Sequence, residues 1–526
     1  MIFHKVGRYL RWYFVLPTVI VGSGVLVPFA YLVLRATDAK ANELVEIVFR
    51  LRNLILFGNT VLLVVGVVIV DILLALPVAW LTSRTNLKAK RFFTLMGVFP
   101  LAIPSYVMAY ALLGLGGVDG AFAQLFGAGL PRLSGYWGAL IALSFYTFPY
   151  FFLNLRSALL GVDPALEESA RSLGYRRRWV FYYVLIPQLR PALYASGLLV
   201  GLHVLGNFGA VSLMRFETFS YALYLQLGSF DRIYSAWLAL MLLAFAGCLL
   251  YLEARLLRGK SFHRAGIGGV HQKTLIPLRG WGKLSYLYLA ALIFGCVAVP
   301  TLTIVSWLIR GLDAVPIENL VKAVFGSLGA AVPAAFLSTG VMLPIVYLGV
   351  RRPSALSRVL ERLAYIGYAI PPLAFGLSLI FFVQRAIPGL YQTIWLLIYA
   401  YTIHFMAEAI GPARSTMYQA SPNIEEAARS LGYSRLNAFF KVIFPLLVRG
   451  LTVSTALVFL SAMKDLPIAF ILRPIGYETL ALSVWDATSE ALFAKAAPYA
   501  LLMIIFAGLF VSLLLVRERN VHEQPA

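Results

Sequence analysis

Two acidic pairs carry the strongest chemical signal in the chain. Glu167-Glu168 begins a nine-residue stretch that continues through Ser169, Ala170, Arg171, Ser172, Leu173 and Gly174 to Tyr175. Glu425-Glu426 begins the same stretch 258 positions later, ending at Gly432 and Tyr433, with Ala427 in place of Ser169 as the one change. The punctuation around the copies also repeats: Pro164 and Pro422 precede them, and Pro187 and Pro445 follow. Asp163 and Ser421 suit an N-cap, with a proline at the first helical position, where a missing N–H costs nothing. The glutamates then fall at the positive end of the helix dipole. Gly174 and Gly432 suit the left-handed residue that stops such a helix, and a second short helix is expected to end before Pro187 or Pro445. This predicts a polar helix-turn-helix placed twice between apolar runs. A loop that only connects does not need the same side chains twice, so something symmetric docks there.

The remaining chemistry-bearing residues lie inside apolar runs: Asp71, Glu408 and the adjacent Lys464-Asp465. An uncompensated charge at the centre of a bilayer costs at least about 2.5–3.5 kcal/mol, so each should face a cavity or a partner. Asp465 is a candidate for the lining of a route through the membrane, or for a gate beside it. Asn207 holds the corresponding place in the first half. Asp71 and Glu408 suit hydrogen-bond centres that hold the fold. Lys464 points about 100° away from Asp465 on a helix, so adjacency does not make them partners. His203 and His404 stand alone on apolar helices and are expected to be packed and hydrogen-bonded. No cluster of His, Asp or Glu has metal-ligand spacing, and no catalytic set stands out. Lys260 and Lys283 follow glycines, but Ala254 and Pro277 stand where a phosphate-cradling loop needs its first glycine.

These residues are positioned by a chain made for lipid. Of 526 residues, 60% are hydrophobic and 13% charged, against about 25% charged in a soluble domain. Mean hydropathy is +0.82. Twelve spans follow, at about 13–35, 57–81, 92–116, 136–158, 192–214, 234–256, 285–309, 326–350, 361–384, 391–412, 451–472 and 498–516, each near the length that crosses hydrocarbon. The first is too long for a cleaved signal peptide and is expected to stay. With the loops assigned alternately, 31 of the 44 Lys and Arg fall on the side of the N-terminal tail, 12 on the other and Lys464 within a span. The net charge of +21 is therefore a matter of topology and gives no reason to expect nucleic acid as a partner. Both termini and both Glu-Glu loops are expected in the cytoplasm. Cys248 and Cys296, both in apolar runs, exclude a disulfide framework.

Six spans per half return the chain to its starting side, so the fold expected is all-α, with two parallel six-helix repeats. Leu76-Pro77 and Ile103-Pro104 match Leu343-Pro344 and Ile370-Pro371 at an offset of 267. The repeats are taken as 1–256, with a core of about 55–256, and 285–526, with a core of about 322–516. The charged segment 257–284 joins them on the cytoplasmic side, and 37–56 suits a short interfacial helix outside. Prolines such as Pro100, Pro104, Pro149, Pro371 and Pro372 are expected to kink or break spans.

On Glu168-Ser169-Ala170 with Gly174 and Pro187, and Glu426-Ala427-Ala428 with Gly432 and Pro445, the chain resembles the permease subunit of a binding-protein-dependent ABC importer of type I. The resemblance implies that the loops are coupling helices, with Glu167, Glu168, Ala170, Gly174, Glu425, Glu426, Ala428 and Gly432 seated in two copies of a separate ATPase subunit. That subunit would bind ATP and magnesium, and this chain would hold no cofactor and be no enzyme. A periplasmic binding protein would deliver substrate to it in a bacterial inner membrane. A narrower resemblance, to fused ferric-iron importer permeases, covers nearly the whole chain. It rests on the strings Phe99 to Val107, Asn207 to Val211, Lys464 to Pro467 and Leu472 to Leu480. The family commonly has an acidic residue where Asn207 stands. The resemblance implies iron as substrate, and Asn207, Asp465, Glu408 and Tyr146 are the candidates for residues of its route. Ferric iron prefers carboxylate and phenolate oxygens, which Tyr146, Tyr150, Glu408 and Asp465 supply, but transport wants transient contacts, so no metal site is assigned.

Fused permeases for thiamine or aminoethylphosphonate share the architecture and remain an alternative for the substrate. A gradient-driven transporter of two six-helix halves is the alternative of another class. It would keep its coupling groups in the spans and would not need matched polar loops. Transport that persists without ATP would select it. The topology is directly testable: single cysteines at Arg177 and Ser434 should react with a membrane-impermeant reagent from the cytoplasmic side alone. Labelling of either from outside overturns the twelve-span arrangement.

Overall fold

Apolar runs of this length have one backbone solution in hydrocarbon short of a closed barrel, because every N–H and C=O must find its partner inside the segment. The chain takes that solution throughout. A computed structural model describes residues 12–38, 50–162, 164–228, 232–257, 275–311, 314–351, 353 and 355–522. Among them, ten helices are long and apolar enough to cross a membrane, and two further helix pairs are bent at a short break, which makes twelve if each pair is one span. The protein is an all-α integral membrane protein with the same element order in each half.

The first half runs through α1 (Trp12–Ala36), α2 (Leu51–Arg84), a bent pair, α3 (Gly135–Gly161), α4 (Pro164–Ser172), α5 (Ile186–Gly206) and the short α6 (Gly209–Leu213). The second half repeats this with α7 (Ile317–Arg351), a bent pair, α8 (Ile394–Gln419), α9 (Pro422–Ser430), α10 (Phe444–Lys464) and α11 (Pro467–Leu472). From α4 to the end of α5 the match is residue for residue at the offset of 258: α4 and α9, and α5 and α10, start and stop at corresponding positions.

Several boundaries differ from those expected. The spans placed at 92–116 and 361–384 are not straight. Lys90–Ala102 meets Ser105–Leu115 at 93°, and Ser357–Ala369 meets Pro372–Ala386 at 105°. Pro104 and Pro371 sit in the breaks with extended ψ values of 152° and 132°, which end one helix and start the next. Pro149, by contrast, stays inside the continuous α3. The spans placed at 192–214 and 451–472 end earlier, at Asn207 and Asp465, and begin well before their expected starts. Pro187 and Pro445 do not follow the end of a helix as expected. A π-turn precedes each, Phe181–Leu185 and Phe439–Ile443, in which the N–H of Ile186 or Phe444 bonds the carbonyl five residues back. The widened turn accommodates a residue with no N–H to give, so the helix runs on into the membrane. The loop is thus one short helix followed by a long one, not two short ones.

Most of 37–56 and of the linker 257–284 falls on 39–49 and 258–274, outside the described residues, as does Asp163. Residues 51–56 belong to α2, and the helix after the linker begins earlier than expected, in the run Arg279–Arg310. Ile276 forms a parallel bridge with Thr85 and exchanges backbone bonds with Arg84 and Asn86.

Compactness divides the chain differently from the repeats. One unit gathers Met1–Arg50, Leu223–Leu243 and Val315–Asp486. Its centre is α7, α8 and α10, and α1 packs on Ala355–Ala369 and Pro372–Ala386. The other gathers Leu51–Ala222, Ala244–Ala314 and Ala487–Ala526. Its centre is α2, α3 and α5, and Val299–Arg310 packs on Ser105–Leu115 and on Phe493–His522. Trp307 seals that contact by donating its indole N–H to the Gly114 carbonyl at 3.0 Å. Each unit thus builds on the core of one half and takes in the leading helix of the other. Small residues allow the close approaches: a Cβ at Gly450 on α10 would stand 2.8 Å from the Pro412 carbonyl oxygen of α8.

Candidate functional site

The two Glu-Glu loops have the same backbone. Gly174 and Gly432 adopt φ of +85° and +90°. The N–H of each glycine bonds the carbonyl three residues back, Arg171 or Arg429, at 3.0 Å. The following tyrosine N–H bonds back to Ala170 or Ala428 at 3.1 and 3.2 Å. Together these form the Schellman arrangement that a C-terminal glycine permits, and they satisfy carbonyls that the helix end would leave orphaned. Ser421 caps α9 by accepting from the Asn423 N–H. The short polar helices are therefore fixed at their ends by local sequence.

Their faces are fixed by tertiary partners that sequence reasoning missed. Arg84, at the end of α2, donates from Nη2 to Glu167 Oε1 at 2.6 Å. Arg351, at the end of α7, lies 3.9 Å from Glu425, while the Tyr347 hydroxyl donates to Glu425 at 2.7 Å. Trp80 stands edge-on to Phe181 at 5.5 Å, and Tyr347 edge-on to Phe439 at 5.4 Å. The signal was available, because the offset of 267 that pairs Pro77 with Pro344 also pairs Arg84 with Arg351 and Trp80 with Tyr347. The first glutamate of each pair is thus turned inward, whereas Glu168 and Glu426 are exposed. Ala170 is half-buried and Ala428 buried. Beside the outward glutamates stand apolar side chains in water: Leu173 is 78% exposed and Leu431 80%, with Tyr175, Tyr182, Tyr183 and Phe440 also exposed. Exposed carboxylates flanked by exposed apolar and aromatic groups thus recur at matched positions in the two halves.

Asn207 and Asp465 also perform one task twice. Each follows the end of a long helix in extended backbone, and its side-chain oxygen accepts from the N–H three residues on: Ala210 at 3.0 Å and Ile468 at 2.9 Å. Asp465 accepts from Ala469 as well, at 3.3 Å. Both are caps of the short helices α6 and α11, placed where water is scarce. Asn207 further donates to Ser105 Oγ at 2.6 Å. The residue corresponding to Ser105 is Pro372, which has no acceptor side chain, so an acceptor-only carboxylate suits the second half.

Glu408 accepts from Ser461 at 2.7 Å and from the Tyr368 hydroxyl, and it interacts electrostatically with Lys464. The corresponding positions in the first half are Tyr150 and His203, whose OH and Nε2 lie 3.3 Å apart, with the Tyr146 ring edge-on to Tyr150 at 6.3 Å and tilted against His203 at 6.4 Å. Asp71 accepts from Thr147 at 2.6 Å, joining α2 to α3. Ser338, its counterpart, donates to the Thr402 carbonyl at 3.1 Å, joining α7 to α8. His404 is buried against Tyr368, Phe375 and Phe405. Among the described residues no three of His, Cys, Asp or Glu come together.

Comparison with known proteins gives a consistent family. The model for the inner membrane component of binding-protein-dependent transport systems matches twice, at residues 71–258 and 340–521. An Fe(3+)-transport system permease protein of Haemophilus influenzae is 32% identical over 503 residues, 94% of this chain and 96% of that protein. A ferric transport system permease protein of Actinobacillus pleuropneumoniae is 23% identical over 460 residues, covering 80% of this chain and 66% of that one. A molybdenum transport system permease protein of Escherichia coli is 32% identical over 158 residues, 29% of this chain and 69% of its own.

The caps have a direct test. Asp465→Asn keeps an acceptor and should leave the break intact, whereas Asp465→Ala should cost about 1–2 kcal/mol locally, as lost N-caps do. Hydrogen exchange at the amides of 468–470 in the detergent-solubilised protein should quicken by about 5–30-fold in the alanine variant alone. Equal exchange in both variants removes the capping assignment.

Proposed function

The chain belongs to the family of binding-protein-dependent transport system inner membrane components, and on that basis we propose that it is the fused permease of an ATP-driven importer of ferric iron. It is an ABC importer permease and a multi-pass inner membrane protein, related to transport components and not to enzymes. The single observation that carries the mechanism is the loop made twice with one backbone and one exposed surface. A loop copied to this degree in halves that otherwise differ fits two identical docking sites.

Two ATPase subunits take the loops in this proposal, one each, and bind ATP and magnesium themselves. Glu168 and Glu426, with Leu173 and Leu431, supply the outward contact. Glu167, Ala170 and Gly174, and Glu425, Ala428 and Gly432, hold each coupling helix in shape. A periplasmic binding protein brings the cargo, and both termini lie in the cytoplasm. The repeats act as 1–256 and 285–526 joined by 257–284. Iron follows from the relative that spans 94% of the chain and transports Fe(3+) by its name. The hard oxygen donors Glu408 and Tyr146 are proposed to meet the cargo in passing. Asn207 and Asp465 serve the route by fixing the helix breaks beside it.

Vesicles containing the chain, its co-purifying ATPase and its binding protein should accumulate radiolabelled ferric iron only when ATP is present on the ATPase side. Uptake of molybdate, thiamine or an organophosphonate without iron would keep the permease and discard the cargo. Reversing Glu168 and Glu426 to lysine should release the ATPase or abolish uptake while the chain still inserts. Full uptake by that double variant would remove the docking assignment.

A further inference from the structure

The first glutamate ties each coupling helix to the end of a long helix in its own unit, and the two ties are chemically different. In the first half the tie is ionic. Arg84 and Glu167 meet at 2.6 Å with side chains 9% and 21% exposed, so each charge has given up most of its water for the other. In the second half Arg351 spends Nη2 on the Ala420 carbonyl, at 2.6 Å, and approaches Glu425 only to 3.9 Å. Arg351 and Glu425, with side chains 9% and 15% exposed, thus form only a long ion pair, and the short contact to Glu425 is the neutral Tyr347 hydroxyl at 2.7 Å. Position 80 carries Trp, which keeps the edge-on ring contact to the π-turn but has no hydroxyl to offer. The ring contact is thus shared by the halves, and the hydrogen-bond donor is not.

We propose that Arg84 and Tyr347 are the positioning residues of the two coupling helices, so that the first helix is held by a close ion pair and the second chiefly by a neutral hydrogen bond. This rests on the coupling role proposed above. The consequence follows from the chemistry of each tie. An amide at 425 still accepts from Tyr347 through its carbonyl oxygen, and Arg351, which loses a counter-charge 3.9 Å away, keeps its bond to the Ala420 carbonyl. An amide at 167 leaves the Arg84 guanidinium largely buried without its counter-charge, which is the costly way to break such a pair. The tie sits about one residue, or about 100°, from the outward glutamate. Movement of the helix on the partner is therefore passed to the end of α2 or α7 only while the tie holds.

The test uses the complete complex reconstituted in vesicles, with the ratio of ATP hydrolysed to cargo imported as readout. A merely structural defect lowers both quantities together and leaves that ratio alone. Glu167→Gln should raise the ratio by about tenfold with the ATPase still bound, and Glu425→Gln by only about twofold. Adding Tyr347→Phe to Glu425→Gln should bring the second half to the level of the first. The charge swap Arg84→Glu with Glu167→Arg should recover the ratio, and it decides the matter if Glu167→Gln does not reach the membrane. Equal ratios for Glu167→Gln and Glu425→Gln, or a folded charge swap that recovers nothing, overturn the inference while leaving the coupling role intact. A native chain that retains no ATPase overturns both.

Discussion

The constraint on which the rest depends is that backbone inside hydrocarbon has no water to fall back on. Each unsatisfied N–H or C=O there costs several kcal/mol, about what a whole side-chain contact contributes. Wherever this chain leaves the α-helix within its spans, a specific device replaces the lost bonds. Asn207 and Asp465 accept the first N–H groups of α6 and α11. The π-turns at Phe181–Leu185 and Phe439–Ile443 carry the helix past a proline. The prolines at 104 and 371 open the bent pairs in positions where they owe no hydrogen bond. A break in a soluble protein needs no such provision, because solvent supplies it.

The two halves agree on where contacts are made and differ in how. Position 408 meets position 461 as Glu with Ser, and the matching pair in the first half is Tyr150 with His203. Asp71 bridges α2 and α3 with a carboxylate, and Ser338 bridges α7 and α8 with a hydroxyl. Packing geometry fixes the site of an interhelical contact, while any satisfied polar pair can fill it. Against that background the coupling loops stand out, because there the side chains themselves are kept. Contacts internal to the protein tolerate exchange of chemistry, whereas this exposed surface is the same in both halves.

The loops also show how a small polar segment becomes stiff enough to carry force. A nine-residue helix alone in water is marginal. Here the C-terminal end is closed by a Schellman turn, the inner face is tied to the end of a long helix, and the chain continues without interruption into α5 or α10. Displacement at the outward glutamate therefore reaches a membrane helix through covalent continuity on one side and a buried tie on the other.

The sequence by itself determined what depends on period and on local backbone. Run length and loop charge marked an all-helical membrane protein. The offsets of 258 and 267 exposed the repeat. Gly174 and Gly432, with the prolines before the glutamates, specified where the polar helices start and stop, since a left-handed glycine or a first-turn proline acts within a few residues. Tertiary structure decided what depends on neighbours brought from far along the chain. Which glutamate of each pair turns inward was settled by Arg84, Arg351 and Tyr347, more than 70 residues away. Asp465 turned to its own following helix, because the long helix ends at Lys464 and the chain is extended at 465. Pro187 and Pro445 read as stops because a proline removes a hydrogen bond, yet the π-turn ahead of each had already displaced the bond in question. The leading helices joined the opposite units for a reason no local pattern contains: an apolar helix buries itself against whatever matching face the finished packing leaves open.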